Sequence, residues 1–271
     1  MFPVEEKLPD FWQLATKVAA DLRAKRISDW DPLIQKILPL LEPDLVESMD
    51  QVIPGWKNIA TLNGGETALH TLLVLVTCLN LPEYGQANDR TRRELEWAAV
   101  LHDLDKQLAR NDTAHPFRSA AVAAQIMPQL GFELSQDIQQ ADLEAWSNLV
   151  MSAQRPDGER MLHDHSALKE IIAGIHKCWG PDSSATRVLK AVLLHQSLPT
   201  IKDWSSAVLL TDEELSYSLT LRVMDILGPL MVADSDSWNI FAEHRFAYLV
   251  EIRASIAETR QRIQEMANKN D

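Results

Sequence analysis

Glycine is scarce in this 271-residue chain, at 9 residues, roughly half of what an average usage near 7% would supply. Runs of Val, Ile, Thr and Tyr bounded by turn glycines, the mark of strands, are also missing, so the fold class read from the sequence is all-α. Only two cysteines occur, Cys78 and Cys178, far apart in apolar helical settings and without a Cys-x-x-Cys pair. That argues against a zinc site built on thiolates and leaves two buried free thiols as the expectation. Basic residues are outnumbered, 26 Lys and Arg against 39 Asp and Glu, for a net charge of -13. Neutralising nucleic-acid phosphates or gripping an anionic membrane needs clustered cations, so neither partner is expected. No apolar run follows a basic start, and the longest apolar stretch, Leu72 to Leu79, is too short to span a bilayer. A cytoplasmic location is the resulting expectation. A small phosphorylated substrate stays open, because one dication and a few local bases can reverse the field inside a pocket.

With 46% hydrophobic and 24% charged residues, the chain can bury a substantial core. Apolar residues at helical spacing predict a helix over 9–25, a second starting at Asp31-Pro32 and a third after Glu42-Pro43. This front section, residues 1–58, has no chemical motif and is read as a helical extension packed on the main domain, 59–271. The segment from Glu66 to Leu79 is apolar nearly all round, which marks a central buried helix. Thr91-x-x-Glu94 resembles a capping box that opens the next helix, and Pro116 sits at the first position of another. Further helices are predicted over 142–152, 166–178 and 184–196. Arg155-Pro156-Asp157-Gly158 is read as a turn, and one continuous helix follows Thr211 or Asp212 through Ile226. A long helix over 239–267 closes the chain. Its stripe of Leu249, Ile252, Ile256, Ile263 and Met266 either packs on the chain's own core or forms a homo-oligomer seam.

Eight histidines are present. His70 is notable because it lies within an apolar helix, where each ring nitrogen needs a partner. His102-Asp103 is sharper still: Ala98-Ala99-Val100-Leu101 breaks off into His102-Asp103-Leu104-Asp105-Lys106. An ionised carboxylate in a buried run requires a partner ion or a metal. Adjacent helical positions diverge by about 100°, so both side chains reach one ion only beside the helix. A second helix must close such a site, and His70 is the obvious donor.

These residues resemble the HD-domain superfamily of metal-dependent phosphohydrolases, whose pattern is a His, a later His-Asp pair and a distal Asp. Ala99-Val100-Leu101-His102-Asp103-Leu104-Asp105-Lys106 is similar to the family's ending, with Asp105 where Gly is usual. His115 resembles the His that follows the pair in many members. Leu221-Arg222-Val223-Met224-Asp225 is similar to the stretch holding the final ligand, with Asp234 as the alternative. The resemblance covers roughly residues 60 to 235. It implies an HD-like helical bundle with metal ligands His70, His102, Asp103 and Asp225. One divalent ion (Mn, Fe, Ni, Co, Zn or Mg) is expected, and a second is possible through His115 and His195. The implied reaction is hydrolysis of a nucleotide or other small phosphate ester, as a phosphomonoesterase or phosphodiesterase. Asp103 takes part through the metal, Lys106 and Arg118 offer charge to phosphoryl oxygens or form solvated ion pairs, and Asp105 or Glu66 accepts a proton. His163 and His165, flanking Asp164, are expected at the surface. The alternatives are a catalytically weak ligand-sensing or protein-interaction module on the same fold, and a metal-free scaffold in which His70 and Asp103 form a buried ion pair.

Overall fold

The computed structural model describes residues 1–107, 112–158, 160–198 and 208–270. Helices dominate. In chain order they are α1 (Val4–Lys7), α2 (Pro9–Arg23), α3 (Trp30–Ile37), α4 (Pro43–Val52), α5 (Trp56–Thr61), α6 (Glu66–Asn80), α7 (Pro82–Gln86) and α8 (Asp89–Leu101). After these come α9 (His115–Ile126), α10 (Gln140–Ser152), α11 (Leu168–Trp179), α12 (Ser184–Leu194), α13 (Asp212–Ser218), α14 (Leu221–Ser237) and α15 (Arg245–Asn270). One antiparallel hairpin, β1 (Gln154–Asp157) with β2 (Arg160–His163), interrupts them. The segment read as a bare turn at 155–158 thus forms one strand and the tip of a hairpin.

The core is built around α6 and α14. Every residue of α6 from Thr67 to Leu79 is buried, as its all-round apolarity requires. Helix α14 packs against α6, α8 and α12, and α9 packs against α12 and α10. The front helices join the same core: α2 and α5 lie on α6, and Phe11 meets Trp56 edge to face at 5.6 Å. The stretch Trp56–Asn80 is long and apolar enough to cross a membrane by composition alone. Left-handed Asn63, Gly64 and Gly65 break it, and 72% of its most apolar window is buried against the other helices. Gly65 has a φ of 86°, a left-handed conformation that strains any other residue, and a Cβ there would also displace the end of the Leu41 side chain.

Several helix ends differ from the sequence expectation, each for a local reason. Asp29, not Asp31, caps α3, accepting from the Asp31 backbone N–H. Asn88 caps α8 by accepting from the Thr91 N–H at 3.0 Å, and Glu94 is freed for an ion pair with Arg187. The continuous helix expected through Ile226 is two helices bent by 107°. Thr211 caps the first with a Glu214 capping box, and Thr220 caps the second, its hydroxyl accepting from the Val223 N–H at 3.3 Å. The closing helix begins at Arg245, six residues later than expected. Ile252 and Ile263 of its stripe are buried, with Leu249, Ile256 and Met266 packed beside them on the chain's own core. Both cysteines are free and buried.

Candidate metal centre

Five helices or helix ends bring two carboxylates and four imidazoles to one place. His70 lies in the second turn of α6; His102 and His195 cap the C-terminal ends of α8 and α12; Asp234 lies in the last turn of α14; His115 opens α9. Three helix C-termini therefore turn their electronegative ends toward the cluster, which favours a cation there. Asp103 follows the end of α8 and is almost fully buried.

The histidines are oriented by a repeated local device. His102 Nδ1 donates to the carbonyl of Ala99 at 2.8 Å and His195 Nδ1 to that of Val192 at 2.7 Å. His115 Nδ1 donates to the Asp112 carbonyl. In each case the acceptor is three residues back, which satisfies a backbone oxygen and aims Nε2 away from its own chain. A carbonyl only accepts, so Nδ1 carries the proton, and Nε2 of the neutral ring is a bare lone pair. His70 is held differently: its Nδ1 stands 3.1 Å from Ser237 Oγ, whose hydroxyl donates to the Asp234 carbonyl at 2.7 Å.

The Nε2 atoms converge on Asp103 and Asp234. His115 Nε2 and His195 Nε2 are 3.3 Å apart, at 2.9 and 4.0 Å from Asp103 Oδ1. His102 Nε2 lies 3.3 Å from His70 Nε2 and 3.7 Å from the same oxygen. His70 Nε2 is 3.6 Å from Asp103 Oδ2 and 2.9 Å from Asp234 Oδ1. Asp103 Oδ1 is buried without a hydrogen-bond partner, although His115 Nε2 stands 2.9 Å from it. Lone pairs and an unsatisfied carboxylate oxygen facing one another in the interior are unfavourable. A cation among them removes the conflict, and the donor set of imidazole and carboxylate suits a divalent transition metal. Two overlapping buried triads meet the requirement, His70–His102–Asp103 and Asp103–His115–His195. The cluster can therefore hold one or two metal ions, with Asp103 common to both.

For His102 and His195 the electrostatics agree with neutral rings. Burial, joined by repulsion from His115, pushes His195 down to about 3. Burial likewise lowers His102. Burial alone would raise Asp103, but the ammonium of Lys106, then His102 and His115, outweigh it and hold the carboxyl well below the usual carboxylate range. Asp234 is also raised by burial and lowered further by His70, then His102 and His195, with a net downward shift. Lys106 Nζ sits 2.8 Å from Asp103 Oδ2; burial opposes its charge, but Asp103 outweighs that and raises its pKa.

A pH dependence follows. An imidazole depressed to about 3 in the folded chain and near 6.5 when unfolded binds its proton only in the unfolded state over the interval between. Buried His163, lowered by desolvation to about 4, acts in the same sense. The metal-free protein should lose stability steadily as pH falls from about 6.5 to about 4. Thermal melts in the presence of a chelator measure this, and a flat melting temperature over that interval would mean that the rings are protonated in the folded chain.

Not every residue expected at the site is there. Asp225 is exposed and pairs with Arg260 at 2.9 Å. Nine residues separate it from Asp234 on α14, which at about 100° per residue is half a turn, so the two face opposite sides. Asp234, and not Asp225, reaches the cluster, 2.9 Å from His70 Nε2. Arg118 is buried but turned away: its guanidinium donates to Gln154 Oε1 and the Asp105 carbonyl, both at 3.0 Å, and pairs with the Asp112 carboxylate. It braces the loop after Asp103 instead of facing the cluster. Asp105 is likewise engaged, accepting from Gln107 Nε2 at 2.9 Å. His163 and His165 are not surface residues. His163 is fully buried, with Nδ1 2.7 Å from the Thr113 carbonyl and Nε2 2.9 Å from that of Val208. His165 lies 3.2 Å from Glu214. Their alternation with Asp164 suggests a polar loop, whereas stacking on Phe117, at 5.0 Å for His163, draws both inward.

A cavity of about 560 Å³ opens onto the cluster at His70 and Asp234. Glu66, Lys106, Gln196, Ser235, Trp238 and Tyr248 are among its walls. Gln196, Ser237 and Trp238 were not marked in the sequence. Gln196 could have been found from its place beside His195, since Leu193-Leu194-His195-Gln196 ends an apolar helix as Val100-Leu101-His102-Asp103 does. Compared with protein-family models, curated proteins and solved structures, the chain matches none.

Proposed function

We propose that this chain is a metal-dependent phosphohydrolase of the HD type, acting on a small phosphate ester. The observation that carries the reading is the convergence of bare imidazole nitrogens on the undonated Asp103 Oδ1, next to an open cavity. A dication held there would polarise a phosphoryl oxygen and lower the pKa of coordinated water. Asp103 and the Nε2 atoms of His70, His102, His115 and His195 supply the ligand set, with Asp234 completing it at the cavity floor. Lys106 lines the same cavity and offers its ammonium to a non-bridging oxygen. Glu66, exposed in the first turn of α6 at the mouth, is placed to take a proton from the bulk side. The resemblance to the HD pattern supports the reading through His70, His102-Asp103 and His115, and Asp234 completes the pattern in place of Asp225.

A sensing or interaction module on the same scaffold is the second reading. The inward engagement of Arg118, which leaves Lys106 without a second cation beside it, favours it. Elemental analysis of the purified protein, followed by turnover of p-nitrophenyl phosphate and bis(p-nitrophenyl) phosphate with Mn, Ni, Zn or Mg added, separates the readings. One or two ions per chain with turnover supports the hydrolase; metal without turnover on any ester supports the module; no metal after incubation with each ion sinks both metal readings in favour of a scaffold.

The two aspartates of α14 give a sharper test. Asp234→Ala should lower metal affinity by about tenfold or more, whereas Asp225→Ala should leave it unchanged, since it removes only an exposed ion pair. Equal loss in the two variants, read by titration against a metal-sensitive dye, would contradict the assignment of Asp234.

A further inference from the structure

On the phosphohydrolase reading, we infer that the cavity takes a substrate with a single phosphoryl group attached to a flat aromatic moiety, such as a nucleoside or aryl monophosphate, and not a di- or triphosphate chain.

The charge of the site limits the phosphate. Among the described residues, Lys106 is the one cationic side chain in the cavity wall, and its ammonium is already 2.8 Å from Asp103. Among the described residues, Arg118 is the other base near the cluster, and it is spent on Gln154, Asp105 and Asp112. Against Lys106 stand Asp103, Asp234 and Glu66. Two dications would bring the site to a net charge of about +2, enough for one phosphomonoester; one dication would leave it near neutral. Polyphosphate sites add several bases or a loop of backbone N–H groups for the remaining charge. Here the cavity mouth carries Glu66 in the first turn of α6, which repels a second or third phosphate where the helix end could otherwise attract one.

The wall beside His70 offers a stacking platform. Trp238 lies parallel to His70, with an interplanar angle of 7° and centroids 5.8 Å apart. It is 40% exposed, so it has surface left for a ligand. Trp30 of the front section backs it at 6.1 Å, and Phe241 meets Trp30 edge to face at 5.3 Å. The indole is thus held in one orientation by a part of the chain that carries no ligand of its own. Tyr248 adds a second ring to the wall. Two polar wall atoms, Ser235 Oγ and Gln196 Oε1, are buried without a hydrogen-bond partner. Both side chains line the cavity, and once turned toward it they can read the polar edges of a heterocycle or sugar. A cavity of about 560 Å³ has room for a molecule of this size.

The test is isothermal titration of the manganese-loaded protein with three probes, adenosine monophosphate, ribose phosphate and adenosine triphosphate, alongside turnover of p-nitrophenyl phosphate and bis(p-nitrophenyl) phosphate. The monophosphate should bind about tenfold more tightly than either of the others. Trp238→Ala should erase its advantage over ribose phosphate, and Trp238→Phe should restore most of it, with metal content checked in both. Tighter binding of the triphosphate, or equal binding of the ring-free sugar phosphate, overturns the inference. Failure of the metal-loaded protein to hydrolyse either reporter ester would instead strike at the phosphohydrolase reading beneath it.

Discussion

Asp103→Asn should strip the protein of metal while leaving it folded. Asp103 belongs to both buried triads, so its loss removes a ligand from each ion that the cluster can hold. Neighbours of metal ligands typically change affinity by 10- to 100-fold when mutated; loss of a shared ligand should exceed about 100-fold and take the turnover of any ester with it. The fold should survive, but the metal-free form should lose stability, because Lys106, then His102 and His115, hold the Asp103 carboxyl well below the usual carboxylate range and so favour its charge in the folded chain. An asparagine amide of the same shape brings an N–H donor beside the histidine Nε2 atoms that surround Asp103 Oδ1. The amide can donate to one of those nitrogens, which limits the loss. Lys106 loses its counter-ion, but its side chain is 20% exposed and can turn its ammonium to water. The decisive pair of measurements is metal stoichiometry and the melting temperature in chelator. Metal retained at the wild-type ratio would show that Asp103 is not a ligand. A chelator-treated variant more stable than the wild type would show that the buried carboxylate is an unfavourable charge in the metal-free chain.

Much of this site is visible in the sequence because burying polar groups is costly. An apolar helix that ends in His-Asp, or carries a lone His, must do something with the charge, and His70, His102 and Asp103 follow from that alone. His115 and His195 stand in the same cluster, 3.3 Å apart. What the sequence hides is rotation and reach. The half-turn between Asp225 and Asp234 decides which one enters the core, yet both lie in apolar stretches of one helix, and a family likeness around Leu221-Arg222 points to the wrong face. Arg118 is one turn past His115 and looks available to a substrate; only the fold reveals Asp112, Asp105 and Gln154 gathered around it. The helix bend at Thr220 was hidden for a similar reason, since the apolar spacing runs on through Leu219 and Leu221 while the cap depends on one hydroxyl. The front section has no motif to read because its contribution is packing: Trp30 reaches the site through Trp238 and not through chemistry of its own.

Glu94 illustrates the same limit and carries the second large effect. Spacing from Thr91 assigns it to a helix cap, but in the fold it is 1% exposed and lies opposite Arg187, which is 6% exposed. Arg187 Nε donates to Glu94 Oε2 at 3.0 Å and its second nitrogen to Oε1, a bidentate pair. Ser184 and Arg90 add bonds to Oε1 at 2.6 and 3.0 Å. The pair joins α8 to α12 near their N-terminal ends, and the same two helices present His102 and His195 at their C-terminal ends. Arg187→Ala leaves a buried carboxylate with Ser184 and a half-exposed Arg90 as its remaining partners. Removal of one member of a buried pair costs about 3–5 kcal/mol, and Arg90 should hold the loss to about 3 kcal/mol. Replacing both charges, as in Glu94→Leu with Arg187→Met, should recover most of it, because the second change removes the stranded charge. Metal should still bind the single variant, since eight helical residues, about 12 Å, lie between Glu94 and His102. Saturating metal should then raise its melting temperature by linkage. Denaturant titrations of the two variants, with and without metal, read all of this. A single variant within about 1 kcal/mol of the wild type would mean that Arg90 replaces Arg187 fully; a variant that folds but no longer takes metal would mean that this ion pair sets the spacing of the two ligand-bearing helices.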